Sequence, residues 1–250
     1  MKKYIIIVLL LFIPMALQAE ELVFVCELYP PYEYMDKGQL QGFEIYVIKE
    51  VCKRMQVDPA FRVYPWNRAL YMVKTGHADA IFSLFKNSER LEFLYYPAQN
   101  ISYEHNIIIA RKEWTRNISK ISDLNGLSVG VIAGYSYGKE FDEYNDMNKE
   151  ACQNPENLLE KLKGKRMDVA VINDFVFRDL RRKLGYGVDF KILCTISTEP
   201  LYVAFSKAKG PHLKELSRSF GDALHEIKND GTYRDILKKY GDSLLNTQYW

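Results

Sequence analysis

The sequence predicts an α/β fold with largely parallel sheets. Short apolar runs rich in Val and Ile alternate with segments whose apolar residues recur every three or four positions, which is the pattern of strands followed by helices. A polar stretch at residues 113–126 divides this alternation into two series, as a segment between two lobes does. The length of 250 residues suits one large domain or two lobes of ordinary size.

The first series begins with LVFVCEL at residues 22–28, an apolar run that predicts a buried strand. A loop rich in Pro and Tyr follows. A helix is predicted over 43–55, because apolar residues recur there every four positions. The remaining predicted elements of this series are the strand FRVYP (61–65), a helix at 66–75 that Gly76 closes, and the strand DAIFSLF (79–85).

The second series and the carboxyl-terminal part continue the pattern. Two amphipathic helices are predicted at the end of the chain, over 211–228 and 232–240. The preceding predicted elements are the strands NIIIARK (106–112), SVGVIA (128–133) and DVAVI (168–172), the helices 157–163 and 175–183, and the strands FKILC (190–194) and LYVAFSK (201–207), with a turn between these last two.

Residues 1–19 have the pattern of a secretory signal peptide. Lys2 and Lys3 precede an apolar run, and the small residue Ala19 stands before the expected cut. The apolar run is shorter than the roughly 20 residues that span a bilayer. We therefore expect an exported protein that starts at residue 20, with an uncleaved N-terminal anchor as the alternative.

Charge and cysteine content bear on the function class. The net charge of +2 and the scattered basic residues predict no nucleic-acid partner, and the one basic run, RDLRRK at 178–183, suits the solvated face of a helix. The four histidines lack metal-ligand spacing and no C-x-x-C pair occurs, so no metal and no cofactor are expected.

In an oxidising compartment the four cysteines predict either buried free thiols or one disulfide, with Cys152–Cys194 the favoured pair because both lie in the middle segment.

The segment SVGVIAGYSYGKEFDE at 128–143 is compatible with two functions. Its GYSYG matches the G-x-S-x-G turn that carries the nucleophile of serine hydrolases. The same residues read as a strand, a Gly-rich turn and a helix start, which binds an anionic group through free N–H groups. A hydrolase would need a following acid, Asp168 or Asp189, and then His212, but no HGGG-like loop precedes the turn. The sequence favours Ser136 as a hydrogen-bond donor to a ligand, with a plain helix cap as the alternative.

Five segments of the chain occur in a recognisable order. They are LQGFEIYVIKEV, GHADAIFSLFKNSERLEFLYYP, LNGLSVGVIAG, LKGKRMDVAVIND and IKNDGTYRDILKKYGD. Together they resemble the extracellular solute-binding proteins of family 3, the periplasmic receptors of amino-acid ABC transporters, over essentially the whole chain after residue 19.

The resemblance implies a two-lobed periplasmic-binding-protein-like fold. Each lobe is then a mainly parallel sheet flanked by helices, and two crossing strands, matched here by NIIIARK and LYVAFSK, join the lobes. Lobe 1 would comprise residues 20–110 and 206–250, and lobe 2 residues 111–205. The ligand would be trapped in the cleft between them.

The resemblance also implies residues that bind the ligand. The Arg that binds the ligand carboxylate corresponds to Arg90, whose planar guanidinium can do so in bidentate fashion. Ser83 and Asn87 lie on the same loop, with Asn87 where the family often has Thr. An exposed Arg with a surface salt bridge is the alternative for Arg90. Ser136 occupies the second hydroxyl position of the family's G-x-x-x-G-[ST]-[ST] pattern, and Tyr135 replaces the first.

Two further sets of residues follow from the same resemblance. The family's Asp that binds the ligand ammonium corresponds to Asn173, so the charge is missing there unless the next residue, Asp174, faces the cleft; a helix cap is the alternative for Asp174. Glu27 and Tyr29 take the place of an acid and an aromatic residue that line the cleft, and Glu27 could replace part of the missing charge. Trp66 matches an aromatic residue over the ligand side chain.

The function expected from the sequence is that of a periplasmic receptor for an amino acid or a related small carboxylate. It would be a monomer that closes on its ligand at a hinge and then docks on the membrane permease of an ABC transporter. Two alternatives remain open: a dehydratase-like enzyme on the same fold, with Glu27 as a general acid or base, and a sensor for a membrane signalling partner.

Overall fold

The fold is that of a computed structural model, which describes residues 21–186 and 189–240. The predicted signal peptide lies outside these residues. Strands and helices alternate as predicted. The strands of the described part are β1 (Glu21–Cys26), β2 (Tyr34–Asp36), β3 (Gln39–Gln41), β4 (Asp58–Val63), β5 (Ala80–Leu84), β6 (Leu94–Tyr95), β7 (Ser102–Arg111), β8 (Ser128–Ile132), β9 (Asn148–Cys152), β10 (Val169–Asn173) and β11 (Phe190–Ser206). The α-helices are α1 (Phe43–Met55), α2 (Trp66–Lys74), α3 (Ser88–Phe93), α4 (Lys139–Glu143), α5 (Pro155–Lys163), α6 (Asp174–Lys183), α7 (His212–Asn229) and α8 (Thr232–Tyr240).

Nine of the eleven described strands form one curled, mixed sheet in the order β4-β1-β5-β11-β7-β10-β8-β9, with β6 paired to β11, and β2 and β3 form a separate antiparallel pair. In its first half, β1 runs parallel to both β4 and β5. In its second half, β8 runs parallel to both β9 and β10. The long strands β7 and β11 pair antiparallel with each other and join the two halves. This is the two-lobed α/β architecture that the sequence predicts.

Strand β11 corrects one sequence prediction. The segments FKILC and LYVAFSK, with a turn expected between them, form a single strand of 17 residues. Pro200 lies inside it without breaking it, because residues 198–201 pair only with β7 on one side, before β5 joins at Tyr202. Proline lacks an N–H group and removes a hydrogen bond only where a neighbouring strand would accept that bond. A segment with a neighbouring strand on one side only therefore tolerates proline.

The start of α1 is fixed by a close backbone contact. Gly42 has a φ of 125°, and a Cβ atom there would lie 2.0 Å from the carbonyl oxygen of Tyr32. Only glycine fits this position. The Pro- and Tyr-rich loop after β1 is thereby held against α1, which places Tyr32 and Glu33 in the interior of the protein.

Aromatic rings dominate the core that supports the first sheet half. Phe24 of β1 stacks on Phe61 with ring centroids 5.6 Å apart and meets Phe205 of β11 and Phe220 of α7 edge-on or tilted. The predicted apolar stripe of α7 faces this core, since Leu213, Phe220 and Ile227 are buried. Rigid packing of this kind fixes the loops that follow β1 and β5. None of the helices within residues 21–186 and 189–240 is long and apolar enough to cross a membrane.

The favoured disulfide is not formed. All four cysteines are free, and Cys26, Cys52 and Cys152 are buried, as in the alternative prediction of buried thiols. Cys152 ends β9 and Cys194 lies in β11, and three strands separate β9 from β11. Four inter-strand spacings of about 4.8 Å place the two residues roughly 19 Å apart. A disulfide requires Cα atoms within about 7 Å.

Candidate functional site

The loops that follow the parallel strands β1, β5 and β8 meet at one small cavity, where open α/β sheets characteristically bind ligands. Its volume of about 30 Å³ holds about two water molecules. A wider groove of about 920 Å³ shares Arg90, Tyr135 and Ser136 with the cavity and leads outward from it. The cavity is lined by Glu27, Tyr29, Glu33, Trp66, Ser83, Leu84, Phe85, Arg90, Glu104, Tyr135, Ser136 and Leu201.

Arg90 is held on α3 with its guanidinium inside the cavity. Asn87 caps this helix, and its side-chain oxygen accepts the Arg90 backbone N–H at 2.9 Å. The guanidinium donates to the carbonyl oxygens of Phe85 (3.0 Å) and Gly134 (3.5 Å) and lies 5.4 Å from the Trp66 ring. Only 5% of Arg90 is exposed, and burial lowers its pKa. Arg90 forms no ion pair with any described residue, so the surface alternative is wrong and a buried cation faces the cavity.

Three contacts bridge the two sides of the cavity. The Tyr135 hydroxyl donates to the Glu27 carboxyl, and the Trp66 indole N–H donates to the Gly134 carbonyl at 2.9 Å. The rings of Trp66 and Tyr135 also meet edge to face at 5.7 Å. Burial raises the pKa of Glu27 to about 8, although the carboxyl also accepts the backbone N–H of Trp66. At neutral pH, Glu27 therefore mostly carries a proton.

Two buried acids share one hydroxyl beside the cavity. Ser83 Oγ lies 3.0 Å from Glu33 Oε2 and 2.6 Å from Glu44 Oε2. Burial raises the pKa of Glu44 to about 7, although its carboxyl group also accepts the Ser102 hydroxyl and the Ser83 backbone N–H, which favour the ionised form. Burial, and then the charge of Glu44, raises the pKa of Glu33 well above its ordinary value. Ser83 itself has a φ of 58°, a strained conformation of the kind found at ligand sites.

A third interior acid comes from the crossing strand β7. Glu104 lines the cavity with only 5% of its surface exposed. It accepts the Tyr29 hydroxyl at 3.3 Å and a hydrogen bond from the Asn173 side chain. Burial raises the pKa of Glu104 to about 8 in spite of these donors.

The structure distinguishes Asn173 from Asp174. The Asn173 oxygen caps α6 by accepting the backbone N–H groups of Phe175 (2.8 Å) and Val176 (3.1 Å), and its amide donates to the Tyr32 hydroxyl at 3.1 Å. Asp174 instead pairs with Arg178 on the same helix at 2.7 Å. Asn173 thus points toward the tyrosines and Glu104 behind the cavity, whereas the Asp174 carboxylate is engaged by the helix.

Ser136 lines the cavity, and its hydroxyl donates to Asp142 of α4. The residues that a hydrolase would require are not brought to it. Asp168 accepts the Ser128 backbone N–H, Asp189 pairs with Lys163, and His212 lines a separate cavity with Glu21 and Asp79. The catalytic arrangement considered for the GYSYG segment is therefore not assembled.

Six of the nine sequence-predicted site residues line the cavity: Glu27, Tyr29, Trp66, Ser83, Arg90 and Ser136. Asn87 lines the outer groove, and Asn173 and Asp174 line neither space. Sequence reasoning missed Glu33 and Glu104. A carboxylate just before the apolar run NIIIA was the available signal for Glu104, but the predicted strand began two residues too late to include it.

A two-lobed α/β fold with a polar cavity between its halves is the architecture of a ligand receptor. The chain belongs to the bacterial extracellular solute-binding proteins, family 3, whose family model matches residues 22–243. The probable amino-acid-binding protein YxeM of Bacillus subtilis is 23% identical over 216 residues, covering 84% of this chain and 79% of the relative. The lysine/arginine/ornithine-binding periplasmic protein of Escherichia coli is 27% identical over 223 residues, covering 86% and 84%.

The histidine-binding periplasmic protein of Salmonella typhimurium is a third relative, 25% identical over 221 residues, covering 86% of this chain and 84% of its own. Among solved structures, an ancestral arginine-binding protein bound to arginine has a TM-score of 0.74 at 24% identity and covers 88% of this chain and 97% of its own. A histidine kinase sensor domain with similarity to periplasmic binding proteins has a TM-score of 0.78 at 19% identity, covering 89% and 96%. At these identities the structures support the fold alone.

Proposed function

We propose that this protein captures an amino acid with a cationic side chain and presents it to the membrane permease of an ABC transporter. The names of the histidine-binding and lysine/arginine/ornithine-binding relatives support this ligand class. The observation that carries the proposal is the set of ionisable side chains that line the cavity. Its lining contains one cationic side chain, Arg90, and three carboxyl groups, Glu27, Glu33 and Glu104. A ligand with one anionic and two cationic groups complements this set.

The contacts suggest which group meets which residue. Arg90 is buried and lacks an ion pair within the described chain, so the ligand carboxylate provides the anion that its guanidinium otherwise lacks. Glu27 contacts the Tyr135 hydroxyl and the backbone N–H of Trp66, and an extended cationic side chain would take the position in which Tyr135 now meets the Glu27 carboxyl. A cation is also attracted by the faces of such rings.

Ligand entry requires the two lobes to separate, because the cavity of about 30 Å³ is far too small for an amino acid. We assign lobe 1 to residues 20–101 and 202–250 and lobe 2 to residues 106–197, because residues 106–110 of β7 pair with β10 and residues 202–205 of β11 pair with β5. The segment in which β7 residues 102–105 pair only with β11 residues 198–201 would act as the hinge, since two strands bend more easily than a wider sheet. Closure on the ligand would replace the contacts between Glu27 and Tyr135.

The proposed setting is the periplasm. Export would use the signal peptide at residues 1–19, and the receptor would act as a monomer without a cofactor. The periplasmic relatives support this location. Binding and release of an unchanged solute, rather than catalysis, is the activity proposed.

A thermal-shift screen of the twenty amino acids tests the proposal, using protein that has been unfolded and refolded to remove carried-over ligand. A ligand at 100 times its dissociation constant adds about 2.7 kcal/mol of stability. We expect arginine, lysine or histidine to stabilise the wild type and Arg90→Ala to abolish the effect. Arg68→Ala is the matched control, because Arg68 is exposed on the neighbouring helix and packs on Tyr64.

The recovered ligand distinguishes the alternatives. An amino acid returned unchanged supports a receptor. Consumption of the ligand would instead indicate an enzyme on this fold, and ligand uptake by cells that stays unchanged when the gene for this protein is deleted would indicate a sensor. Stabilisation only by neutral or acidic amino acids would overturn the proposed ligand class.

A further inference from the structure

The α-ammonium group of the proposed ligand needs a counter-charge, and position 173 does not provide one. Asn173 is neutral, and both of its polar atoms are already used: the oxygen by the start of α6 and the amide by Tyr32. Asp174 is paired with Arg178. The counter-charge must come from another residue that reaches the cavity.

Glu104 meets the physical requirements for this role. It lies on β7, which joins the two lobes, and its side chain lines the cavity and is almost fully buried. Its neighbours are hydroxyl and amide donors from Tyr29 and Asn173, which orient a carboxyl group without neutralising it. No cation of the described chain forms an ion pair with Glu104, so a cationic group of the ligand could pair with this buried carboxyl group.

Glu33 supplies a second, independent observation. Its Oε1 atom is buried and has no hydrogen-bond partner among the described residues, although Glu33 lines the same cavity as Glu104. A hydroxyl has one hydrogen, and Ser83 lies within hydrogen-bond distance of both Glu33 and Glu44. Because Glu44 accepts three donors, Glu33 is the member of the pair that holds a proton and donates to Ser83 Oγ. Its free oxygen remains as an acceptor.

We propose that Glu104 and the free oxygen of Glu33 bind the α-ammonium group of the ligand, and that Glu104 releases one proton to solvent when the ligand enters. Glu33 stays protonated and accepts one ammonium hydrogen, while ionised Glu104 accepts another. Position 173 keeps a structural function as the cap of α6. The inference rests on the proposed function, since it requires a ligand with an ammonium group.

Binding is then linked to pH. Burial raises the pKa of Glu104 to about 8, so the empty cavity holds the proton at neutral pH and below. Ligand affinity should rise with pH until Glu104 ionises in the empty protein, by about tenfold per pH unit. Burial lowers the pKa of His105, and its ring points to the opposite face of β7 and contacts Thr198. The titratable and charged groups that face Glu104 are Tyr29, Tyr32, Glu33, Glu44, Arg90 and Tyr137.

Calorimetry with L-arginine as the probe tests the inference on the wild type. Binding enthalpies in phosphate and in Tris at one pH give the number of protons exchanged. We expect release of about one proton per arginine from Glu104 and up to one more from Glu27, with an increase in affinity of about thirtyfold or more from pH 6 to pH 7.5. A proton count near zero together with a flat pH profile would overturn the inference without any variant.

Variants separate a binding role from a structural one. Glu104→Gln keeps the shape of the side chain, and it should weaken arginine binding by at least about thirtyfold and lower the number of protons released by about one. Glu160→Gln, an exposed change on α5, is the control and should do neither. The double variant Glu104→Gln/Asn173→Asp places a new carboxylate next to the position of the lost Glu104 carboxylate and should regain part of the affinity. The helix start should be preserved, because Asp also caps a helix.

Failure of the inference can be told from failure of the proposed function. Arginine binding of wild-type strength in Glu104→Gln, with proton release unchanged, overturns the inference alone. If the wild type binds none of arginine, lysine and histidine, the proposed function falls and the inference falls with it. A Glu104→Gln variant that loses affinity and gains none from Asn173→Asp, while the wild type releases no proton, assigns Glu104 a structural role and also overturns the inference.

Discussion

The contact between Tyr135 and Glu27 leads to an unusual prediction: Tyr135→Phe should tighten ligand binding. The hydroxyl donates to the Glu27 carboxyl across a cavity that is too small for an amino acid. The ligand must break this contact to enter, so the contact stabilises the empty, closed form only. Phenylalanine keeps the edge-to-face packing of the ring on Tyr29 and Trp66 and removes the hydroxyl alone.

The expected magnitude follows from the protonation state. With its pKa raised to about 8, Glu27 is mostly neutral at pH 7, and its hydrogen bond to Tyr135 resembles one between neutral groups. Such a bond contributes about 1 kcal/mol, which corresponds to a factor of about five in an equilibrium constant. If the closed form dominates the empty protein, the apparent dissociation constant should fall by up to about fivefold.

Isothermal titration calorimetry of arginine binding to the wild type and to Tyr135→Phe measures this change in the dissociation constant. Small-angle X-ray scattering of the two proteins without ligand should show a larger radius of gyration for the variant. Tyr144→Phe is the matched control, because the Tyr144 hydroxyl donates to Asn125 outside the cavity. Weaker binding by Tyr135→Phe would mean that the hydroxyl contacts the ligand, and it would refute the reasoning.

Three further predictions concern the stability of the protein and the state of its cysteines. The folded protein keeps the Glu104 proton between pH 4.5 and about 8, where the unfolded chain releases it, so the unfolding free energy of the empty protein should fall as pH rises through this range. The slope from this group is up to about 1.4 kcal/mol per pH unit. A urea midpoint that stays constant with pH would contradict this prediction, and so would a pH dependence of the midpoint that Glu104→Gln leaves unchanged. The unfolded chain should react with a thiol reagent at all four cysteines without prior reduction, and a count of two would indicate a disulfide. Gly42→Ala should lower the urea-derived unfolding free energy by about 3 kcal/mol or more, because its Cβ would overlap the Tyr32 carbonyl; Gly38→Ala, at a position with open space, is the control for positive φ.

The long elements were predictable because their periodicity is strong. Helix α1 was predicted with its bounds, and α8 likewise, because apolar residues mark one face over two or more turns. The hairpin β2–β3 and the helices α3 and α4 are too short to carry a period. The polar edge strand β9 has almost no buried face, so it shows no apolar pattern.

The candidate site was predictable where residue type and local position coincide. The resemblance to family 3 singles out Arg90 and Trp66 at the start of predicted helical segments, and both line the cavity. Glu33 and Glu104 could not be assigned, because their burial results from tertiary contacts: the Pro- and Tyr-rich loop folds back on α1, and β7 passes beneath the loop after β1. A lone glutamate in a sequence is far more often exposed than buried, so nothing local marks Glu33, and the position of Glu104 just before the run NIIIA does not by itself indicate burial. Their environment emerges only when both lobes are assembled.

The most direct test of the central claim compares two ligands of nearly equal shape, L-arginine and its uncharged analogue L-citrulline, by calorimetry on refolded protein. If the cavity is built for a cationic amino acid, arginine should bind at least about thirtyfold more tightly than citrulline, since the neutral side chain leaves Glu27 without a cationic partner. Equal affinities, or binding of citrulline in preference to arginine, would contradict the account.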